Sequence, residues 1–345
     1  MKTIDRRAFL KIAGVAGLAL ASGCRAEAPA GTMPIAGGLP ATGVPSGLPS
    51  APQRLVITPT GQLFTQSYSG TPTVEVADWR LRIGGTVERP VELTYSDVLA
   101  FPKVETVRTL ECIGNPVGGG LIGNPAWGGF LAAQLWEQVG IRPEAKRARF
   151  TGADGYRTAV DVEWITQPGV LLAYELNGET LPPAYGFPLR ILMPGLYGQK
   201  MPKWLTDIEF IDGDFLGYWE SLGWSDMAAV KTKSIIQQPR RTDRLSAGAV
   251  PVGGIAFAGL RRINAVQVRI DDGEWQEAEL LQDESPWVWT QWSFPWEATP
   301  GEHEVAVRAM DDTGFVQSTE GGLLSTGAFP DGADGIHEVL LRVDG

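Results

Sequence analysis

The scarcest side chains limit the chemistry of this 345-residue chain: it has two cysteines, Cys24 and Cys112, and two histidines, His303 and His337. With no histidine before residue 303, histidine-rich zinc sites and Ser-His-Asp or Cys-His nucleophiles are excluded over most of the chain. Cys112 stands in Thr109-Leu110-Glu111-Cys112-Ile113-Gly114-Asn115, at the end of a predicted strand. A lone cysteine there reads either as a small buried hydrophobe or as a soft thiolate ligand for a transition metal. One cysteine without a neighbouring histidine cannot complete a metal site, so a metal held here brings most of its ligands with it.

The second chemical feature is Thr180 to Thr206, which holds Arg190, Lys200 and Lys203 and no acidic residue, in a chain with 29 basic against 40 acidic residues and a net charge of −11. That local excess suits an anionic cofactor, with arginine gripping phosphate bidentately and lysine acting as a point charge. Three basic side chains lying along a sheet edge with their heads in water would give the same pattern. The overall acidity disfavours a nucleic-acid partner held by counterion release. Gly118, Gly120 and Gly123 spell G-x-G-x-x-G, but Pro125, Gly128 and Gly129 interrupt the helix that a dinucleotide loop must open. The glycines read instead as a loop whose backbone approaches something closely.

These residues need a scaffold, and 43% hydrophobic with 20% charged residues is enough to build one. Length predicts two domains. Trp79 to Ile83 alternates as a strand ending at a Gly84-Gly85 turn, and Thr94 to Leu99 reads as a helix start. Leu131, Leu135 and Val139 predict a helix over Phe130 to Val139, closed by Gly140. Arg149-Phe150-Thr151 and Arg157 to Val160 flank an Asp154-Gly155 turn, while Leu189 to Met193 and Leu205 to Ile211 read as further strands. The first domain, 54–229, is therefore expected to be mixed α+β.

From 230 to 345 the pattern becomes short alternating strands, such as Val266 to Ile270 and His303 to Ala309, joined by turns like Asp271-Asp272-Gly273. That spacing predicts an antiparallel β-sandwich of immunoglobulin-like type. Trp287, Trp289, Trp292 and Trp296 fit either a sugar- or base-stacking face or, the preferred reading, the sandwich core and an interdomain or subunit contact.

Residues 1–24 read as a targeting segment: Arg6-Arg7-Ala8-Phe9-Leu10-Lys11 precedes an uncharged apolar stretch from Ile12 to Gly23. The arginine pair resembles a twin-arginine export signal, and Ala21-Ser22-Gly23-Cys24 resembles a lipoprotein processing box with Cys24 as the lipid-anchor candidate. Residues 25–53 are rich in Gly and Pro with only two charged residues, Arg25 and Glu27, and read as a flexible tether. The expected location is the periplasm or the outer face of the cytoplasmic membrane. With Cys24 lipidated or removed, Cys112 has no disulfide partner within the chain.

Taken together, Glu111 to Asn115, Leu172-Ala173-Tyr174-Glu175-Leu176-Asn177-Gly178, and Gly186-Phe187-Pro188-Leu189-Arg190 through Pro194-Gly195 to Lys203-Trp204 resemble the sulfite oxidase family of molybdopterin enzymes. The resemblance runs from about Leu55 to Val343 and implies a molybdenum-molybdopterin cofactor with Cys112 as the protein's thiolate ligand. It also implies that Asn115, Tyr185, Arg190, Lys200 and Lys203 bind the cofactor, with the three basic residues near its pterin and phosphate. By the same resemblance Tyr156 and Arg261 fall near an active-site tyrosine and a substrate-binding arginine, and the C-terminal domain forms a homodimer.

The chain departs from the sulfite-specific pattern at three points. Pro116-Val117 replaces an arginine pair, Gln66 stands where an arginine is expected, and Tyr185 replaces a histidine. The implied activity is two-electron oxygen-atom transfer on a sulfur oxyanion, with reduction of a sulfoxide as the alternative. A non-catalytic envelope protein that binds glycan or another protein is the reading from a different class. No Cys-x-x-Cys-His haem motif is present, so electrons pass to a separate partner such as a cytochrome.

Overall fold

The computed structural model describes residues 57–281, 285–318 and 327–345. The expected export signal, Cys24 and the tether lie outside the described residues.

The first half rests on two sheets. One has the strand order Val91–Leu93, Leu81–Gly85, Leu205–Ile211, Arg147–Gly152, Arg157–Asp161, with Leu81–Gly85 and Leu205–Ile211 parallel. The other runs Glu179–Thr180, Leu171–Leu176, Ala126–Leu131, Val104–Val107, and Arg190–Leu192 pairs with Leu171–Leu176. Leu171–Leu176 is buried along almost its whole length, which is why it reads as a continuous apolar run rather than an alternation. In that sheet a Cβ on Gly129 would lie 2.1 Å from the carbonyl oxygen of Leu172, so only glycine lets the two backbones meet.

Local signals explain the short helices. Thr94 caps Tyr95–Ala100 in a reciprocal box with Asp97, each satisfying a backbone N–H of the other. The helix expected from Phe130 begins later, at Ala133–Val139. Phe130 and Leu131 instead finish the strand Ala126–Leu131, because their backbones pair with Leu172 and Leu171. Fourfold spacing of apolar residues could not separate the two outcomes. Likewise Gly84 and Gly85, expected as a turn, complete the strand Leu81–Gly85 beside Glu209 and Phe210. Gly85 has φ 79°, and a Cβ there would lie 2.1 Å from the Phe210 carbonyl oxygen. Helices of four to seven residues leave this half more strand-rich than the α+β expectation suggests.

The second half is β-rich. Lys233–Gln238, Gly248–Phe257, Thr290–Ala298 and Glu279–Leu281 form one sheet; Leu245–Ser246, His337–Asp344, Gly301–Asp311, Ile263–Ile270 and Gln276–Glu277 form the other. Between them lie Val252, Val268, Trp292, Trp296, Val305 and Val307. Trp289 joins a separate apolar cluster with Ile113, Tyr197 and Ile235, and Trp287 stacks under the Arg108 guanidinium. The four tryptophans thus serve the core and the contact between the halves. The Thr109 amide donates to the Trp287 carbonyl and the Trp289 amide donates to Thr109 Oγ1, both at 2.9 Å. The second half therefore grips the strand that leads into Cys112.

Candidate active site

Cys112 follows the two-residue strand Leu110–Glu111, which pairs with Ile122–Gly123. Its amide donates to the Leu121 carbonyl at 3.0 Å, and its carbonyl accepts from the Asn115 amide at 3.0 Å, so the chain turns sharply just beyond the sulfur. Asn115 fixes this turn from inside. Its Nδ2 donates to Glu111 Oε1 and its Oδ1 accepts from the Leu121 amide, each at 2.9 Å. The glycine loop that follows is held by close packing: a Cβ on Gly118, which has φ 69°, would lie 2.2 Å from the His337 ring.

The turn presents Cys112, Ile113 and Gly114 to a cavity of about 150 Å3. Its other walls come from residues 64–68, from Asp154 and Tyr156 at the hairpin tip between Arg147–Gly152 and Arg157–Asp161, and from Tyr185, Arg190 and Lys203. Of the residues singled out from sequence, Cys112, Tyr156, Tyr185, Arg190 and Lys203 meet here. Tyr156 is buried with its hydroxyl donated to the Gln199 carbonyl at 2.7 Å, and burial lifts its pKa well above the usual phenol range. The Tyr185 hydroxyl lies 2.8 Å from the carbonyls of Thr60 and Leu63, which ties the segment before the first strand to the wall.

Arg190 and Lys203 set the electrostatics. Arg190 is 4% exposed, donates to the carbonyls of Tyr185 and Met201 at 3.1 and 3.5 Å, and leaves its Nε with no partner. Burial alone brings its pKa down to about 9. Lys203 Nζ donates to the Ala184 carbonyl at 2.8 Å and sits 4.2 Å above the Trp204 ring. Burial first, and then the charge of Arg190, bring it down to about 7 against the opposing pull of Asp154. Two covered cations without a paired carboxylate are costly unless an anion joins them.

The other three residues lie elsewhere. Asn115 is behind the Cys112 turn. Lys200, wholly buried, contacts Glu220 closely and reaches Asp226 and the Ala159 carbonyl at 3.0 Å each, so its charge is already answered within the protein. Arg261 sits on the second half, bonded to Asp311 at 2.7 Å and to the Val230 carbonyl at 2.8 Å. The cavity also has walls that sequence reasoning missed: Phe64, Tyr68, Gln199, Trp219 and Trp224. Trp224 faces the cysteine turn closely enough that a Cβ on Gly114 would be 3.9 Å from its ring. The only sequence signal for this wall was the density of aromatic residues from Phe215 to Trp224.

A molybdenum-pterin group fits this donor set. Among the described residues no three His, Cys, Asp or Glu side chains gather as a metal site, and the cavity holds one thiol, Cys112, as suits a metal arriving with its own sulfur ligands. The unpartnered Arg190 Nε and Gln199 Oε1 are open hydrogen-bonding positions for a polar anionic group.

Comparison with known proteins agrees with this donor set. The oxidoreductase molybdopterin binding domain family matches residues 68–219, and the Mo-co oxidoreductase dimerisation domain family matches residues 225–324. Sulfite oxidase of Gallus gallus is 29% identical over 76% of this chain and 68% of its own length. NADH nitrate reductase of Ulva prolifera is 26% identical over 83% of this chain but only 40% of that longer protein. The crystal structure of the sulfane dehydrogenase SoxCD from Paracoccus pantotrophus superposes with a TM-score of 0.72 at 25% identity, covering 84% of each chain. With both halves matched in order and the fold shared, the chain belongs to the sulfite oxidase family of molybdopterin enzymes and is a molybdenum-dependent oxidoreductase.

Proposed function

We propose that this protein is an exported enzyme that moves an oxygen atom between water and the sulfur of a small substrate, with Cys112 as the protein's ligand to molybdenum. The observation behind this reading is the meeting of Cys112 with two covered cations, Arg190 and Lys203, neither held in an ion pair with a carboxylate, in one cavity. When bound, the cofactor supplies a metal that cycles by two electrons and exchanges oxygen with the substrate. Arg190 and Lys203 hold its phosphate, and Asn115 holds the turn that aims the sulfur. Tyr185 secures the wall, while Tyr156, its proton committed to the Gln199 carbonyl, forms a further part of it. Lys200 and Arg261 have no part in this reading, because their charges are matched inside the protein.

Two relatives are named for sulfur chemistry, sulfite oxidase and sulfane dehydrogenase, and they support reading the reaction as sulfite dehydrogenase-like. The neutral Gln66 in the cavity wall favours the second reading, reduction of a sulfoxide. Electrons pass to or from a separate carrier, such as a cytochrome. We further read the two C-terminal sheets as an immunoglobulin-like unit that pairs two copies, and Cys24 as a lipid tether on the outer face of the cytoplasmic membrane.

The test is molybdenum content in protein matured in a host that makes the pterin, for wild type and Cys112→Ser together. The expected result is close to one metal per chain in wild type and little in the variant. A folded wild type from that host without molybdenum would overturn the reading in favour of a binding protein.

A further inference from the structure

Behind the cavity wall lies a buried chain of acid-base groups that cofactor binding leaves unused. Tyr156 lines the cavity, and its hydroxyl meets that of Thr158, two residues further along the chain. Thr158, wholly buried on the strand Arg157–Asp161, donates to Glu220 Oε1 at 2.6 Å. Lys200 Nζ contacts the same Glu220 oxygen, lies 3.3 Å from Thr158 Oγ1 and reaches Asp226 Oδ1 at 3.0 Å. The side chains of Lys200 and Glu220 are 0% and 1% exposed, whereas that of Asp226 is 39% exposed. Hydrogen-bonding groups therefore run from the cavity wall to solvent.

Two details set this cluster apart from a plain ion pair. An ammonium has three protons to donate, yet among the described residues four acceptors surround Lys200 Nζ: Thr158 Oγ1, the Ala159 carbonyl, Glu220 Oε1 and Asp226 Oδ1. One of them is always left without a lysine proton, so hydrogen bonds exchange around the nitrogen with little movement of heavy atoms. The second carboxylate oxygen of Glu220 is buried with no donor among the described residues, a costly position for a permanent anion and an open one for a proton. Arg147 closes the cluster from the far side, 3.0 Å from Asp226 and 3.2 Å from Asp161, and holds the outermost carboxylate in place.

We propose that Thr158, Glu220, Lys200 and Asp226 are a proton conduit between the Tyr156 wall of the cavity and solvent. This rests on the reading of the cavity as a site of oxygen transfer between water and a substrate. Taking the oxygen of water leaves two protons and two electrons behind, and returning an oxygen to water consumes the same number. A one-electron carrier takes or brings the electrons alone, so two protons enter or leave the cavity in every turnover. Inward, a proton from solvent joins Asp226, which passes it to Lys200 as Lys200 gives one to Glu220. Glu220 then gives its proton to Thr158 as Thr158 hands its own to Tyr156, and the Tyr156 proton that rests on the Gln199 carbonyl is released into the cavity. Each group ends as it began, no bond between heavy atoms changes, and outward transfer is the same sequence reversed.

The experiment uses the full-length, cofactor-loaded protein without substrate. Reduced methyl viologen supplies electrons and no protons, its bleaching follows electron uptake, and a pH-indicator dye in weak buffer follows proton uptake. Wild type is expected to take up protons in step with electrons. Thr158→Val keeps the volume of the side chain and removes its hydroxyl. It is expected to slow proton uptake about a hundredfold, the lower end of what a positioned proton carrier contributes, and to raise the ratio of rates in H2O and D2O. Thr158→Ser is expected to restore both. Glu220→Gln keeps an acceptor for Thr158 but has no acid proton to pass on; it is expected to match Thr158→Val, and it reads the conduit if Thr158→Val loses its fold. Molybdenum content and the final extent of reduction should stay as in wild type, whereas a merely structural lesion would lower them. Proton uptake at the wild-type rate in Thr158→Val and Glu220→Gln would overturn the proposal, as would a loss that Thr158→Ser does not restore. Slowing by Asp154→Asn in their place would overturn it too, by moving proton entry to the carboxyl that lines the cavity. A wild type that takes up no molybdenum would remove the oxygen-transfer reading together with the conduit, whereas loaded variants with unaltered proton uptake would remove the conduit alone.

Discussion

Lys233, on the first strand of the second half, forms a buried ion pair with Glu111, the residue immediately before Cys112. Glu111 is 1% exposed and also accepts from Asn115, while its second carboxylate oxygen has no partner. Lys233 lies 3.4 Å from the Tyr197 hydroxyl, which in turn accepts from the Lys231 amide at 3.2 Å. The strand that presents the cysteine is thus held by a charge from the other half of the molecule, and the orientation of the sulfur depends on how the two halves pack.

Removing only the cation exposes that dependence. Lys233→Met leaves Glu111 buried without its counter-charge, a change that costs about 3–5 kcal/mol in comparable buried pairs. The double variant Glu111→Gln with Lys233→Met should recover most of the loss, because no lone charge is left behind. Urea denaturation of the three proteins checks this. A single variant as stable as wild type would show that Glu111 is not buried as a charge.

At Arg190 the expected outcome is the reverse. Its charge has no carboxylate partner and its Nε no acceptor, so in cofactor-free protein the guanidinium costs stability rather than supplying it. Arg190→Met is expected to match or exceed wild type in thermal midpoint without cofactor, and to retain less cofactor after purification. Measuring both on the same preparations separates a binding arginine from a structural one, for which both quantities would fall.

Lys203 gives the same argument a pH dependence. Its pKa is about 7 in the fold against about 10.4 in an unfolded chain. Between those values the unfolded chain binds more protons, so stability rises with pH across that window. Cofactor-free protein should therefore show a thermal midpoint that climbs from pH 7 towards pH 10, a climb that Arg190 reinforces above about pH 9. A bound anion restores the charge of both groups, so the climb should flatten in the loaded protein, whereas Lys203→Met should flatten it only below about pH 9, where Arg190 does not yet contribute.

How much of this was legible in the sequence varies by residue. Leu205–Ile211 was readable because its alternation mirrors a sheet with one covered face, and Thr94 because a capping box is local. Lys200 and Lys203 lie three residues apart in a segment free of acids, so local sequence gave them the same role. They are separated by Glu220 and Asp226, which arrive from later in the chain to neutralise Lys200 alone. Arg261 was likewise claimed by a residue distant in sequence, Asp311. Trp224 and Phe329 carry no motif, and only the packing of the two halves brings the two rings together.

The two histidines offer a direct check of the second half, because with only His303 and His337 in the chain their proton resonances can be assigned by a single substitution. His303 Nδ1 lies 2.8 Å from Asp271 Oδ2, and that bond raises its pKa above the usual 6.5. His337 is half-buried against Gly118, its Nδ1 accepts from the Ile236 amide at 3.0 Å, and this partial burial lowers its pKa. An NMR titration should therefore show one histidine midpoint above 6.5 and one below. Asp271→Asn should return the first towards 6.5 and leave the second in place. The signs differ for stability as well: the His303 contribution is full below pH 6.5 and lost as pH rises through its raised pKa, whereas that of neutral His337 is full above pH 6.5 and lost on acidification through its lowered one. Coincident midpoints near 6.5 would mean that neither the Asp271 bond nor the contact of His337 with the Gly118 loop persists in solution, and with the latter would go a support of the loop that follows Cys112.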